Sequence, residues 1–335
     1  MSTQTSATTQ VEETVVEPAA SRLRLRAVQF VRMREFGILI AAIALFTILS
    51  ILKGDQFLSE YNLLNVARSI SFMGIVAVGM TFLFIAGELD LSVGSMYGFL
   101  GIAMAYGIVT YDLNPYAAMP LTVLIGAAMG FWSGFVTTFF KIPSFIVTLG
   151  MLSILRGFAL LRSGAWPIAN LDFPTYRKIT AGYFFDGRVP AQVFWFAGVV
   201  LIGGFVLAKT KFGYHVYATG DNARAAGNAG IPTSRIKIAC FVITGALTGL
   251  VAALSVGWLK GANPLSGQSF ELDVIAAVVI GGTNLFGGSG SILGTFLGAA
   301  IIGMMNNGLV LLGFNAYWIP VFQGGIIIFA VLIDI

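Results

Sequence analysis

Two short acidic motifs stand out in an otherwise apolar sequence, Glu88-Leu89-Asp90 and Glu271-Leu272-Asp273. Carboxylates at the ends of long apolar runs are costly unless paired or hydrated, so each is a candidate for a solute path, a gate or a proton relay. Asp90 precedes Leu91-Ser92-Val93-Gly94, and Glu271 and Asp273 open an apolar run, where negative charge suits the start of a helix. Capping and gate geometry are therefore expected of these acids ahead of proton relay. Asn306 and Asn307 lie inside another apolar segment. A buried amide must find partners, either across a helix contact or along a polar path for a hydroxylated solute. Arg156 is a similar case, expected to snorkel to an interface or to pair with an acid.

Other chemistry finds little support. His215 is the single histidine and sits in a basic loop, with no serine–acid setting for a triad. Cys240 is the single cysteine, so no intramolecular disulfide forms, and a closed zinc site lacks ligands. Gly203–Thr210 (GGFVLAKT) imitates a phosphate loop, but alanine replaces its second glycine and the run follows an apolar helix, not a strand. No catalytic residue, cofactor or metal is expected, and the chain has no ATP site of its own.

The elements that must position these residues are set by composition. Of 335 residues, 57% are hydrophobic and 10% charged, against roughly 25% charged in soluble domains. This is an all-α, polytopic membrane helix bundle with lipid as its main solvent. The net charge of +4 sits in membrane-flanking clusters and does not point to nucleic acid. Residues 1–35 read as a disordered tail with a basic end, and 36–335 as one transmembrane domain. A bilayer core of about 30 Å takes roughly 20 residues of helix. About ten segments qualify: 36–52, 70–87, 91–110, 116–140, 142–161, 190–208, 238–258, 272–286, 291–312 and 316–335. Segment 272–286 is short and 142–161 carries Arg156, so both are candidates for broken or re-entrant helices.

Basic clusters before the first segment and in the loop 209–237 are separated by six segments, which places both in the cytoplasm, with both termini. On this reading 11 basic residues lie inside and seven outside, Arg68 among the seven. The two halves echo each other in the acidic motifs, in glycine-rich helices and in Ile142-Pro143 and Ile319-Pro320. Five segments per half would make an inverted repeat. Glycines four apart (Gly94/Gly98, Gly126/Gly130/Gly134, Gly245/Gly249 and Gly290/Gly294/Gly298) argue for close helix packing. Within the loop, Asp221 or Asn222 caps a short helix, 223–229, ended by Gly230 and Pro232. Seven residues do not hold a helix alone, so it needs a surface to dock on.

Four stretches carry a family resemblance: GMTFLFIAGELDLSVGS (79–95), IPSFIVTLGMLSILRG (142–157), GDNARAAGNAGIPTSRIK (220–237) and ELDVIAAVVIGGTNLFGGSGSILGTFLGAAIIGMMNNGLVLLG (271–313). The chain resembles the permease subunits of bacterial ABC importers for monosaccharides, the ribose, xylose, arabinose and galactose type. It departs at Glu88, where the family often has isoleucine or valine. The resemblance implies a subunit of the bacterial inner membrane that works as a homodimer on a cytoplasmic ABC ATPase, with a periplasmic sugar-binding protein delivering the solute. It also implies that Gly220, Asp221, Asn222, Ala225, Ala226 and Gly230 belong to the ATPase-coupling loop. Glu88, Asp90, Glu271, Asp273, Asn306 and Asn307 are then the candidates for a translocation path or gate. The competing reading is an ion-coupled transporter using the four acids. An intramembrane enzyme would need a catalytic cluster that the sequence lacks.

Overall fold

The computed structural model describes residues 34–334, so most of the expected tail lies outside the described residues. The helices are α1 (Arg34–Phe57), α2 (Glu60–Ile85), α3 (Val93–Tyr111), α4 (Pro115–Phe140), α5 (Ser144–Ser163) and α6 (Pro174–Ala181). A hairpin of β1 (Tyr183–Phe184) and β2 (Val189–Pro190) comes next. Then come α7 (Ala191–Lys209), α8 (Lys211–Asp221), α9 (Ala223–Asn228), α10 (Thr233–Leu259), α11 (Phe270–Ile280), α12 (Ile292–Leu311) and α13 (Trp318–Asp334). The chain is an all-α polytopic membrane protein. Among the described residues, eight helices are long and apolar enough to cross a membrane: α1 to α5, α7, α10 and α12.

The short segment expected near 272–286 is α11. Its 11 residues rise about 16 Å at 1.5 Å each, half a bilayer core. The expectation of a break at Arg156 is corrected: α5 is a continuous helix of 20 residues. Arg156 instead sends Nη1 across to the turns before α11, donating to the carbonyls of Pro264 at 2.7 Å and Ser266 at 3.0 Å. Non-helical backbone within a membrane protein needs such partners.

α2 starts ten residues before the expected segment 70–87, because Ser59 caps it by accepting the Asn62 N–H at 3.4 Å. From Ser71 to Ile85 every residue is buried, as befits a helix that is apolar on all faces. The early start draws Arg68 into the helix, where it is buried, and removes it from the outer flank where charge counting puts it.

The glycine ridges are contact surfaces. A Cβ on Gly126 or Gly130 would strike the carbonyls of Gly245 and Phe241, so α4 and α10 touch backbone to backbone. Gly294 and Gly298 meet the carbonyls of Gly281 and Ala277 in the same way, seating α12 on α11. Gly94 and Gly98 let α3 lie against the carbonyls of Gly267, Ser266 and Pro264.

Candidate functional site

The loop 209–237 folds into two helices. Thr210 caps α8, accepting the Gly213 N–H at 3.2 Å. Asn222 then caps α9, accepting the Ala225 N–H on Oδ1 at 2.9 Å, as its sequence suggests. Asp221, Asn222, Ala225 and Gly230 are exposed, whereas Ala226 is 6% exposed and faces the protein itself. Ala225, not Ala226, is therefore open to a partner. Gly220 joins this loop to the bundle: a Cβ there would overlap the Ile85 carbonyl at the end of α2. Gly288, in the α11–α12 connection, donates its N–H to that same carbonyl at 3.0 Å. Movement of α8 and α9 thus bears directly on α2 and on the α11–α12 turn.

The four acids separate into different roles. Glu88 pairs with Lys237 at 2.6 Å and pins the α2–α3 loop to the first turn of α10. Asp90 is fully buried; Oδ1 accepts the Ser92 N–H at 2.8 Å and its hydroxyl at 2.6 Å, which sets the chain to enter α3. Both are engaged within the protein in this conformation, although Asp90 Oδ2 is buried without a partner among the described residues. Glu271 starts α11 beside Gly94 and within electrostatic reach of Arg156. Asn307 forms a reciprocal amide pair with Asn62, with bonds of 3.1 and 2.7 Å.

Asp273 and Asn306 belong together in a cavity of about 430 Å³, within the range of small-molecule sites, about 300–1,000 Å³. Its walls are Asn65, Arg68, Ser69, Phe72 and Met73 of α2, Tyr97 of α3, Trp258 of α10, Phe270 and Asp273 of α11, and Asn306 of α12. Asp273 Oδ1 accepts the Asn306 amide at 2.8 Å and also the Gln323 amide. The carboxylate fixes the orientation of Asn306, so its Oδ1 must point away, and that oxygen is buried without a partner. Asp273 Oδ2 likewise has no protein partner among the described residues. Two free acceptors therefore remain, beside Phe72 and Trp258 with ring centroids 5.6 Å apart and Tyr97 and Phe270 at 5.5 Å. At the other end Arg68 donates to Tyr183 Oη of the β-hairpin at 2.6 Å and to Asn65 Oδ1 at 2.8 Å, with its guanidinium 5.1 Å from the Trp258 ring centre. Acceptors, the unpartnered Arg68 Nε–H and flat apolar faces together suit a small polar solute that carries both donors and acceptors.

Residues 62–331 match a family model described as the permease component of branched-chain amino acid transport systems. The chain belongs to this permease family. The permease is 39% identical to a ribose import permease protein of Bacillus subtilis, across 90% of this chain and 93% of the relative. It is 38% identical to the ribose import permease protein of Escherichia coli K12, across 88% and 92%. A xylose transport system permease protein of Haemophilus influenzae is 32% identical, across 91% and 96%. No solved structure matches the chain significantly. With this membership the permease is a multi-pass protein of the bacterial inner membrane.

Sequence reading alone picks out Asp273 and Asn306 but misses Asn65, Arg68, Tyr97, Trp258 and Phe270. Asn65 and Arg68 precede the apolar run that marks the segment 70–87, so they read as loop. The aromatic residues carry no local signal, because such residues are common throughout this chain; only the fold converges them.

Proposed function

We propose that this permease forms the membrane path of an ATP-driven importer for a monosaccharide of ribose type. It serves transport and not catalysis. The carrying observation is the pair of unpartnered acceptors, Asp273 Oδ2 and Asn306 Oδ1, in a cavity with aromatic walls. A few hydrogen bonds there replace water around a sugar without trapping it. The ring contacts add apolar burial. The names of the relatives support a pentose.

In this reading two copies of the permease stand on cytoplasmic ABC ATPases, and a periplasmic binding protein delivers the sugar at the end that carries the β-hairpin. Both termini are cytoplasmic, and the two halves are an inverted five-plus-five repeat. The exposed start of α9, with Ala225, docks on the ATPase. Closure of the ATPases pushes α8 and α9, and the Gly220–Ile85–Gly288 contact passes that displacement to α2 and α11, two walls of the cavity. The wall groups then lose their outward arrangement and the sugar leaves on the other side. The test is uptake of labelled ribose by proteoliposomes holding the permease, its ATPase and its binding protein. Uptake should need ATP inside and survive a protonophore. Uptake without ATP that a protonophore abolishes would favour an ion-coupled carrier using Asp273.

A further inference from the structure

A second cleft, of about 350 Å³, lies at the end of the bundle that carries α8 and α9, apart from the cavity of Asp273. It is walled by Thr137 and Thr138 at the end of α4, Lys141 just beyond, and Ser234 and Lys237 at the start of α10. Ala223, the first residue of α9, also borders it.

The free groups in this cleft include a cation and several donors, beside Glu88, which lines it as well. Lys141 is exposed and has no salt bridge among the described residues, whereas the charge of Lys237 is met by Glu88. α10 is 27 residues long and starts after Pro232, which offers no side-chain cap. The Thr233 N–H is taken by the Ile231 carbonyl, but those of Ser234 and Arg235 have no acceptor among the described residues. An uncapped helix start with free N–H groups attracts an anion. A separate observation points the same way. Thr137 is 5% exposed and its hydroxyl has no partner, although it lines the cleft. Its neighbour Thr138 is satisfied by the Gly134 carbonyl at 2.8 Å. Buried hydroxyls are seldom left orphaned, and a ligand oxygen would supply the missing acceptor.

We propose that this cleft binds a phosphate group. A tetrahedral oxyanion offers several acceptor oxygens at once, to the Lys141 ammonium, the Ser234 N–H and the Thr137 hydroxyl. Glu88, the one carboxylate at the cleft, has its charge met by Lys237 through Oε1 at 2.6 Å, so the Lys141 charge is left for the ligand. The phosphate can come from a phospholipid headgroup, since Phe139, Phe140 and Ile142 beside Lys141 are exposed apolar residues, or from a soluble phosphate compound. Either would lie against the first residue of α9 and stiffen the start of the coupling segment.

The test uses the full-length permease in neutral detergent. One arm measures binding of labelled inorganic phosphate by equilibrium dialysis. The other counts phosphatidylglycerol molecules retained in native mass spectra after mixing with that lipid. Lys141→Gln and Thr137→Val are compared with the parent. Phosphate binding that is at least tenfold weaker in both variants supports a soluble ligand. A phosphatidylglycerol molecule retained by the parent and lost in both variants supports a lipid headgroup. Thr137→Val should also leave the melting temperature unchanged or raise it, since it removes an unpartnered hydroxyl. If Thr137→Val fails to fold, the exposed Lys141→Gln decides. A parent that holds neither probe more tightly than Lys141→Gln would overturn the site.

Discussion

Gly130 offers the most direct test of how the bundle is held together. It sits mid-way along α4, where an added Cβ would lie 2.7 Å from the Phe241 carbonyl carbon, closer still to its oxygen, and 3.2 Å from Val242 Cα. Ordinary contact begins near 3.4 Å. All three atoms are backbone of α10 and no side chain can turn aside. Gly130→Ala must therefore push α4 and α10 apart by about 1 Å, and a gap of 0.5–1 Å forfeits roughly a quarter to a half of the attraction between facing atoms. Neighbouring contacts at Gly126, Gly245 and Gly249 open with it. Such overpacking costs about 1–3 kcal/mol, or about 2–12 °C in melting temperature at about 2–4 °C per kcal/mol. Gly130→Leu should go further and lower the yield of assembled protein. Gly150→Ala is the control, because nothing lies within 4 Å of a Cβ there. The assay is thermal unfolding of the purified permease monitored by tryptophan fluorescence. A Gly130→Ala melting temperature equal to that of Gly150→Ala would refute the backbone-contact argument.

Asp273→Leu or Asn306→Leu should reduce ribose uptake at least tenfold while the protein still reaches the membrane; normal uptake in either would move the sugar path elsewhere. Asn62→Leu should destabilise the protein by about 1–3 kcal/mol, because it orphans the Asn307 amide, and adding Asn307→Leu should recover much of that loss in the same unfolding assay. No recovery in the double variant would mean that the amide pair acts through groups other than each other. Ala225→Arg puts a charge on the exposed face of α9 and should abolish uptake and release the ATPase on purification, with the melting temperature of the isolated permease unchanged. Cysteines placed at Arg224 and at Asp186 should react with impermeant reagents from opposite sides of the membrane, Arg224 from the cytoplasm; labelling of both from one side would overturn the assignment of faces.

Features written into neighbouring residues are legible in the sequence. Apolar length locates the eight helices that, among the described residues, are long enough to cross a membrane, although it also names 272–286 and 316–335, where the helices are shorter, and the Asn222 cap with Gly230 locates α9 to within a residue. The glycine ridges within helices also read correctly, since spacing of four fixes a helix face, whereas Gly290 lies before α12 and belongs to the turn. Arg156 and Arg68 are harder for a common reason. What each does depends on a partner far along the chain: Arg156 on carbonyls 108 and 110 residues away, and Arg68 on Tyr183, 115 away. Charge counting places Arg68 at the membrane edge and leaves Arg156 out, when each is engaged by acceptors that only the tertiary fold supplies. The acidic motifs show the same limit from the other direction. Glu88-Leu89-Asp90 and Glu271-Leu272-Asp273 are identical in letters, yet the first is anchored by Lys237 and Ser92 beside the coupling helices and the second presents Asp273 to the cavity. The difference lies in the helix that each motif leads into: α3 is a full helix of 19 residues, whereas α11 stops after 11. Asp273 lies in the first turn of that short helix, where the Asn306 and Gln323 amides from two later helices reach its carboxylate, and no feature of the motif itself announces them.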